Sequence, residues 1–357
     1  MNHSELISTQ KPIVAIVGPT AIGKSRIGIE IAKVLHTEIL TADSCQVYWG
    51  MDIGTDKPTL PERQGVPHRL IDLVAPDQSF NVGDFRRHAL QEISRLHSEG
   101  LLPLVVGGTG LYIRGLLRGL CPGPPANWPL RKALTQEATE RGWPFLHEKL
   151  QQVDPDLARR LHPNDQPKVL RALEVYQTLG IPFSQVQQQH QFQETPYPFL
   201  LIGLTMERQT LYHRIETRVE WEIEKGLVQE TQELMQQGYT QNLGSMKGLG
   251  YRQFSGYLAG EYSYDEAVRL LKRDTRHFAK RQMTWFRKEP GIHWITLEPS
   301  DIPERAATRI LKTIDDFLCA FKTSQAIADR AKTYRTESVP EDSRPTEMFL
   351  RIRSHTL

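Results

Sequence analysis

Apolar and polar positions along this chain alternate between two periods. Ile13-Val14-Ala15-Ile16-Val17 is an unbroken apolar run of strand length, and Ile27, Ile31, Val34 and Leu35 then recur at helical spacing, predicting a helix from about Lys24 to Leu35. Further strands are expected near Glu38–Ala42 and Leu102–Val106, with a helix near Val82–His97 between them. Such alternation implies an α/β fold, a parallel sheet flanked by helices, in which ligands sit at the carboxyl ends of the strands. Asp43-Ser44 and Gly107-Gly108-Thr109 both fall at such ends, so both are expected to face one cleft.

The pattern breaks at Cys121-Pro122-Gly123-Pro124-Pro125, where restricted backbones stop the preceding element. This divides the chain into a first core part at 11–120, a polar helical insert at 121–195, and a second core part at 196–320. Phe199-Leu200-Leu201-Ile202-Gly203-Leu204 reads as the strand that returns to the sheet. A long helix follows in which Leu211, Ile215 and Val219 recur every fourth residue, so Arg214 and Arg218 share another face. Those two arginines suit a diphosphate clamp or an ordinary solvated surface; the segment alone decides neither. Beyond Phe321 apolar periodicity fades into Thr, Ser, Arg and Glu, and residues 321–357 are expected to form a poorly ordered tail.

Gly18-Pro19-Thr20-Ala21-Ile22-Gly23-Lys24-Ser25 links the first strand to the first helix and matches GxxxxGK[ST]. The glycines let consecutive N–H groups turn inward, and the helix start adds its positive dipole end, which together make a polyphosphate cradle. Lys24 is positioned for terminal phosphate oxygens and Ser25 for Mg²⁺. Composition narrows little else. The 357 residues carry a net charge of +2, and the three cysteines, Cys45, Cys121 and Cys319, are too scattered for a disulfide framework or a Cys-based zinc site. Neither a signal peptide nor an apolar span is visible, so a cytoplasmic protein without membrane contact is expected. One stretch does stand out, Arg269 to Lys288, where eight basic residues meet a single acid, Asp274, among Phe278, Trp285 and Phe286. That mixture suits a phosphate backbone with unstacked bases, or a solvated amphipathic helix.

A phosphate loop fixes a polyphosphate and leaves the reaction open. A motor ATPase ends an apolar strand on an acid, whereas Leu104-Val105-Val106 runs into Gly107-Gly108-Thr109; a GTP switch needs NKxD and DxxG, and neither occurs. A small-molecule phosphotransferase remains, because Asp43 at the end of the second strand can serve as an acceptor's base.

The ordered set of Gly18–Ser25, Ala42–Tyr48, Met51–Pro58, Pro67–Leu70, Gly107–Tyr112, Gly250-Tyr251-Arg252-Gln253 and Lys280–Arg287 resembles the tRNA dimethylallyltransferases, also called tRNA isopentenyltransferases. The resemblance implies a P-loop NTPase-like core and transfer of a dimethylallyl group from dimethylallyl diphosphate to N6 of the adenosine beside the tRNA anticodon. It implies Mg²⁺ as the only metal, Asp43 as general base, Thr109 beside the reactive amine, and Lys24 among the catalytic groups. The Gly18–Ser25 loop with Arg214 and Arg218 would hold the donor diphosphate. Ser44, Cys45 and Gln46 would touch the target nucleotide. Arg131, Pro167, Lys168 and Arg171 in the insert, and Lys247, Gly250, Tyr251, Arg252, Lys280, Arg281, Gln282, Trp285 and Arg287 in the core, would contact tRNA. A monomer is expected. Pro167, Lys247 and Asp56 depart from the family pattern, Asp56 standing where a small residue is common. Two alternatives share the loop: an adenylate isopentenyltransferase acting on a free nucleotide, and a P-loop kinase.

Overall fold

A computed structural model describes residues 11–121, 123–190 and 194–337. Six parallel strands build its sheet: β1 (Ile13–Val17), β2 (Ile39–Ala42), β3 (His68–Arg69), β4 (Leu104–Gly107), β5 (Phe199–Thr205) and β6 (Ile292–Thr296), in the spatial order β3-β2-β4-β1-β5-β6. Every residue of β1 is buried, which explains an apolar run without alternation: both faces of the sheet are covered. On one face Val14 and Ile16 pack with Ile27 and Ile31 of α1 (Lys24–Leu35) and with Ile310 and Ile314 of α13 (Pro303–Glu337). On the other, Ile13, Ala15 and Val17 pack with Phe85 and Ile93 of α2 (Val82–Ser98) and with Ile113 of α3 (Gly110–Arg118). Asn81 and Asp84 close a capping box at the start of α2, each side chain accepting the other's backbone N–H, which fixes where that helix begins.

The segment between α3 and β5 folds into five helices, α4 (Trp128–Arg141), α5 (Trp143–Val153), α6 (Pro155–Ala158), α7 (Gln166–Leu179) and α8 (Phe183–His190). Leu134, Leu146, Leu150, Val169 and Leu173 give them an apolar core of their own. After β5 come α9 (Arg208–Glu224), α10 (Leu227–Gln236), a 3-10 turn at Ser245–Lys247, α11 (Tyr251–Leu258) and α12 (Tyr264–Phe286). A further apolar cluster, including Val47, Met51, Leu227, Tyr251 and Phe254, ties the chain after β2 to these helices.

The two short outer strands β3 and β6 have no clear sequence signal, being two and five residues of mixed polarity. The end of the chain corrects the expected tail: α13 runs to Glu337, so 321–337 is helical, while 338–357 lie outside the described residues. The reason is propensity, because Lys322–Glu337 is rich in Ala, Lys and Arg and lacks Pro and Gly, and an established helix extends through such residues without apolar periodicity. Among the described residues no helix is long and apolar enough to cross a membrane.

Candidate active site

Strand register brings the site together. Gly107 of β4 is level with Val17 of β1 on one side and with Ala42 of β2 on the other. The residues that follow, Gly18, Gly108 and Asp43, therefore leave the sheet side by side, within about 10 Å at ordinary strand spacing. Gly107 has to be glycine, since a Cβ there would lie 2.1 Å from the Ala42 carbonyl oxygen. These three ends open into one cleft of about 1030 Å³, lined by Thr20–Ser25, Asp43, Gln46, Asp56, Gly107, Gly108, Arg214, Arg218, Phe278 and Gln282 among others.

The loop after β1 has the backbone of an anion cradle. Gly23, at φ +101°, precedes α1, and no side chain caps that helix, so its first N–H groups point into the cleft with the dipole's positive end. Gln282, reaching from α12, accepts from the Thr20 N–H at 2.8 Å and donates to the Gly108 carbonyl at 3.0 Å, fastening the cradle to the end of β4. Lys24 folds back, donating to the Pro19 carbonyl at 2.8 Å. Burial lowers its pKa to about 8, against the opposing pull of Asp43 and with some help from Arg218. Both arginines of α9 reach the loop: Arg218 Nη1 donates to Thr20 Oγ1 at 2.9 Å and Arg214 Nη1 to the Ile22 carbonyl at 3.4 Å. Burial opposes the Arg218 charge, but Asp56 and Glu222 more than compensate and hold its pKa above the ordinary value.

Asp43 caps the turn that follows it. Its Oδ1 accepts from the N–H groups of Cys45 at 2.8 Å and Gln46 at 3.4 Å; no hydrogen bond among the described residues engages Oδ2. Thr109 Oγ1 accepts from the Ser44 N–H at 3.0 Å and lies 3.3 Å from the Ser44 hydroxyl, holding the Asp43 turn to the end of β4. Cys45 is half-buried, its thiol pKa pushed up to about 12 by desolvation and the nearby Asp43, so it is not a nucleophile at neutral pH. No group of three or more His, Cys, Asp or Glu capable of holding a metal exists among the described residues. The Ser25 hydroxyl on the cleft lining fits Mg²⁺, which keeps most of its waters and would take its remaining ligands from phosphates.

Residues 46–289 match the family model described as IPP transferase. The chain belongs to the tRNA dimethylallyltransferase (IPP transferase) family. Residues 11–75 also match a model described as isopentenyl transferase. The chain is 49% identical over 305 residues to tRNA dimethylallyltransferase 2 of Geotalea uraniireducens, covering 85% of this chain and 97% of that one. It is 46% identical over 310 residues to the enzyme of Acetivibrio thermocellus, with 87% and 98% covered. The crystal structure of the full-length tRNA isopentenylpyrophosphate transferase of Bacillus halodurans superposes with a TM-score of 0.65 at 37% identity, covering 90% of this chain and all of that one. A eukaryotic dimethylallyltransferase acting on tRNA superposes with a TM-score of 0.73 at 26% identity, covering 87% and 80%. The core thus has the P-loop NTPase-like fold of the family.

The remaining family positions divide by exposure. Lys168, Lys247, Arg252, Lys280, Arg281, Arg287 and Pro167 are exposed and accessible to a ligand of the size of tRNA, with Lys168 paired to Asp165 and Arg252 to Asp274. Tyr251 is not: it is buried, its hydroxyl donating to Glu230 at 2.7 Å, so it supports the core instead of facing RNA. Gly250 is buried beside it at φ +84°, a start to α11 that a side chain would strain against Leu227. Gln282 is likewise buried, its amide spent on the loop contacts above. The Gln46 amide donates to the carbonyls of Thr55 and Asp56 at 2.9 and 3.1 Å, and only its carbonyl oxygen is left for a nucleotide. Arg131 and Arg171 both bind Glu174, at 2.8 and 2.6 Å, which makes them first of all the insert's internal charge pair. Trp285 is half-buried, its ring against Gly110 and beneath Arg114 at 4.3 Å. Glu222, Glu230 and the locking role of Gln282 escape sequence reading; of these only Glu222, four residues after Arg218 on one helix, carries a local signal.

Proposed function

We propose that this protein transfers a dimethylallyl group from dimethylallyl diphosphate to N6 of the adenosine adjacent to the anticodon of tRNA. The observation that supports the reading is the level ending of β1, β4 and β2, which brings the Gly18–Ser25 loop and the Asp43 carboxylate to one cleft. In this reading the Gly18–Ser25 loop, Lys24, Arg214 and Arg218 hold the donor diphosphate and neutralise the charge that grows on it as the allylic C–O bond breaks. Ser25 would hold Mg²⁺ together with the phosphates, and the ion would supply Lewis-acid charge to the same leaving group. The adenine amine is a weak nucleophile, its lone pair delocalised into the ring. Asp43 Oδ2 accepts its hydrogen bond and takes the proton as the C–N bond forms, while Oδ1 stays on the Cys45 N–H and keeps the carboxylate oriented. Thr109 steadies that turn through Ser44. The base is reached by everting it from the anticodon loop, as for other enzymes that act on bases.

The exposed cations from Lys247 to Arg287 and the insert would grip the stem-loop from two sides. An intact insert favours tRNA over a free nucleotide as acceptor. The experiment offers AMP, ADP, ATP and an unmodified anticodon stem-loop with dimethylallyl diphosphate and Mg²⁺. Prenylation confined to the stem-loop is the expected result; a free nucleotide reacting best would make the protein an adenylate isopentenyltransferase. ADP formation from ATP without prenyl transfer would make it a kinase.

A further inference from the structure

The loop Met51–Lys57, which forms part of the cleft wall, is braced from several directions. The Glu230 carboxylate accepts from the N–H groups of Asp52, Ile53 and Gly54 at 2.9–3.3 Å. The Tyr251 ring packs so close to Gly54 that a Cβ there would lie 2.7 Å from it. Gln46 ties down the Thr55 and Asp56 carbonyls, and the Thr55 hydroxyl donates to the Met51 carbonyl at 2.6 Å. The buried Lys57 ammonium donates to the Tyr48 carbonyl at 2.9 Å and pairs with Asp52 and Asp72. On this platform Asp56 is held at φ +51°, a left-handed backbone that side chains other than Asn and Asp rarely adopt.

The braced loop aims the Asp56 carboxylate at Arg218, 3.1 Å from Nη1. The same nitrogen donates to Thr20 of the phosphate loop, and Arg218 Nε is taken by Glu222 at 2.7 Å. One of the cradle's arginines therefore already carries a carboxylate partner in the position from which it would meet a phosphate. A metal-free diphosphate that binds Arg218, whether it takes Nη1 from Asp56 or meets Nη2, lies beside the Asp56 carboxylate, with Asp43 in the same cleft. A diphosphate complexed with a divalent cation brings less negative charge. It also brings metal-bound waters that can donate to the released carboxylate.

We propose that Asp56 is a specificity-determining residue of the donor site: it occupies Arg218 in place of a phosphate and makes the cleft select metal-complexed over metal-free diphosphate. This rests on the assignment of the cleft as the donor site. It differs from a purely positioning role, in which Asp56 would hold Arg218 ready for phosphate and its removal would weaken binding with or without metal.

The test is calorimetric titration of the full-length protein with inorganic diphosphate, in excess Mg²⁺ and in chelator. Asp56→Asn removes the charge and Asp56→Gly the side chain, and both residues tolerate the left-handed backbone; melting curves check that each variant folds. Without metal, both variants are expected to bind roughly three- to fivefold tighter than wild type, the yield of a partly exposed ion pair. In Mg²⁺ the change is expected to stay within about twofold, so the preference for the complexed form contracts. Variants that bind metal-free diphosphate no tighter than wild type overturn the proposal. A wild-type protein that binds diphosphate under neither condition overturns the donor-site assignment itself.

Discussion

Two carboxylates, one in the insert and one in the cleft, show how the same chemical group is used in opposite ways. Glu174 is wholly buried, and its oxygens receive Arg131, Arg171 and the Asn127 N–H. Burial alone would raise its pKa, but those hydrogen bonds outweigh it and lower the value to about 2. Asp43 is half-buried and gives one oxygen to its own turn, keeping the other open to the cleft. The difference teaches where to look for chemistry: a charge whose every lone pair is satisfied holds a fold together, and one left with a free oxygen in a cleft can take a proton.

The comparison breaks most visibly at Asp43. Asp43→Asn is expected to lower turnover by roughly 10²- to 10⁴-fold, the range for a lost general base, with stem-loop affinity nearly unchanged. Single-turnover kinetics beside a binding titration checks both halves; undiminished turnover would return Asp43 to a capping role. In the insert, Glu174→Ala is expected to cost stability, about 2–3 kcal/mol in urea unfolding. The figure stays below that for a fully buried pair because Arg131 and Arg171 keep 27% and 29% side-chain exposure and find water. Since the folded pKa of Glu174 is depressed, its stabilisation is in full force above the ordinary 4.5 and is lost as pH falls toward about 2.

Lys24 gives a smaller effect with a distinctive sign. Burial lowers its pKa to about 8, so the ammonium that would meet phosphate is present below that pH and is lost above it. Diphosphate restores the charge on binding, and affinity is expected to fall roughly tenfold between pH 7 and pH 9. A flat calorimetric profile over that range would show that Lys24 does not contact the phosphates. The mildest change is Arg281→Ala. This exposed side chain is expected to take slightly under one unit from the slope of log affinity for tRNA against log salt, leaving the melting temperature within about a degree. Arg131→Ala should do the reverse, lowering the melting temperature through Glu174 and barely moving the salt slope.

Much of the core is legible in order along the chain. The runs at Ile13–Val17 and Phe199–Thr205, the phosphate loop and the four-residue recurrence on α9 announce β1, β5, the cradle and the shared face of Arg214 and Arg218. These signals are local, a period of two or of 3.6 or a glycine where the chain must turn. What the pattern hides is non-local. Gln282 meets Thr20 across 262 positions and Glu230 meets Ile53 across 177, and no periodicity carries such pairings. The family motif around Gly250-Tyr251-Arg252 illustrates the cost: its three residues look alike as RNA contacts, yet burial leaves only Arg252 exposed. Arg131 and Arg171 read as free cations until the fold sets Glu174 between them.

The claim at the centre is that one cleft holds the leaving diphosphate and the base that deprotonates the acceptor. It is tested most directly by incubating the full-length protein with radiolabelled dimethylallyl diphosphate, Mg²⁺ and unmodified tRNA, digesting the RNA and resolving its nucleosides. Label in N6-(dimethylallyl)adenosine from the position beside the anticodon, abolished by Asp43→Asn, is the predicted result. Unlabelled RNA, or label that persists in the variant, would contradict it.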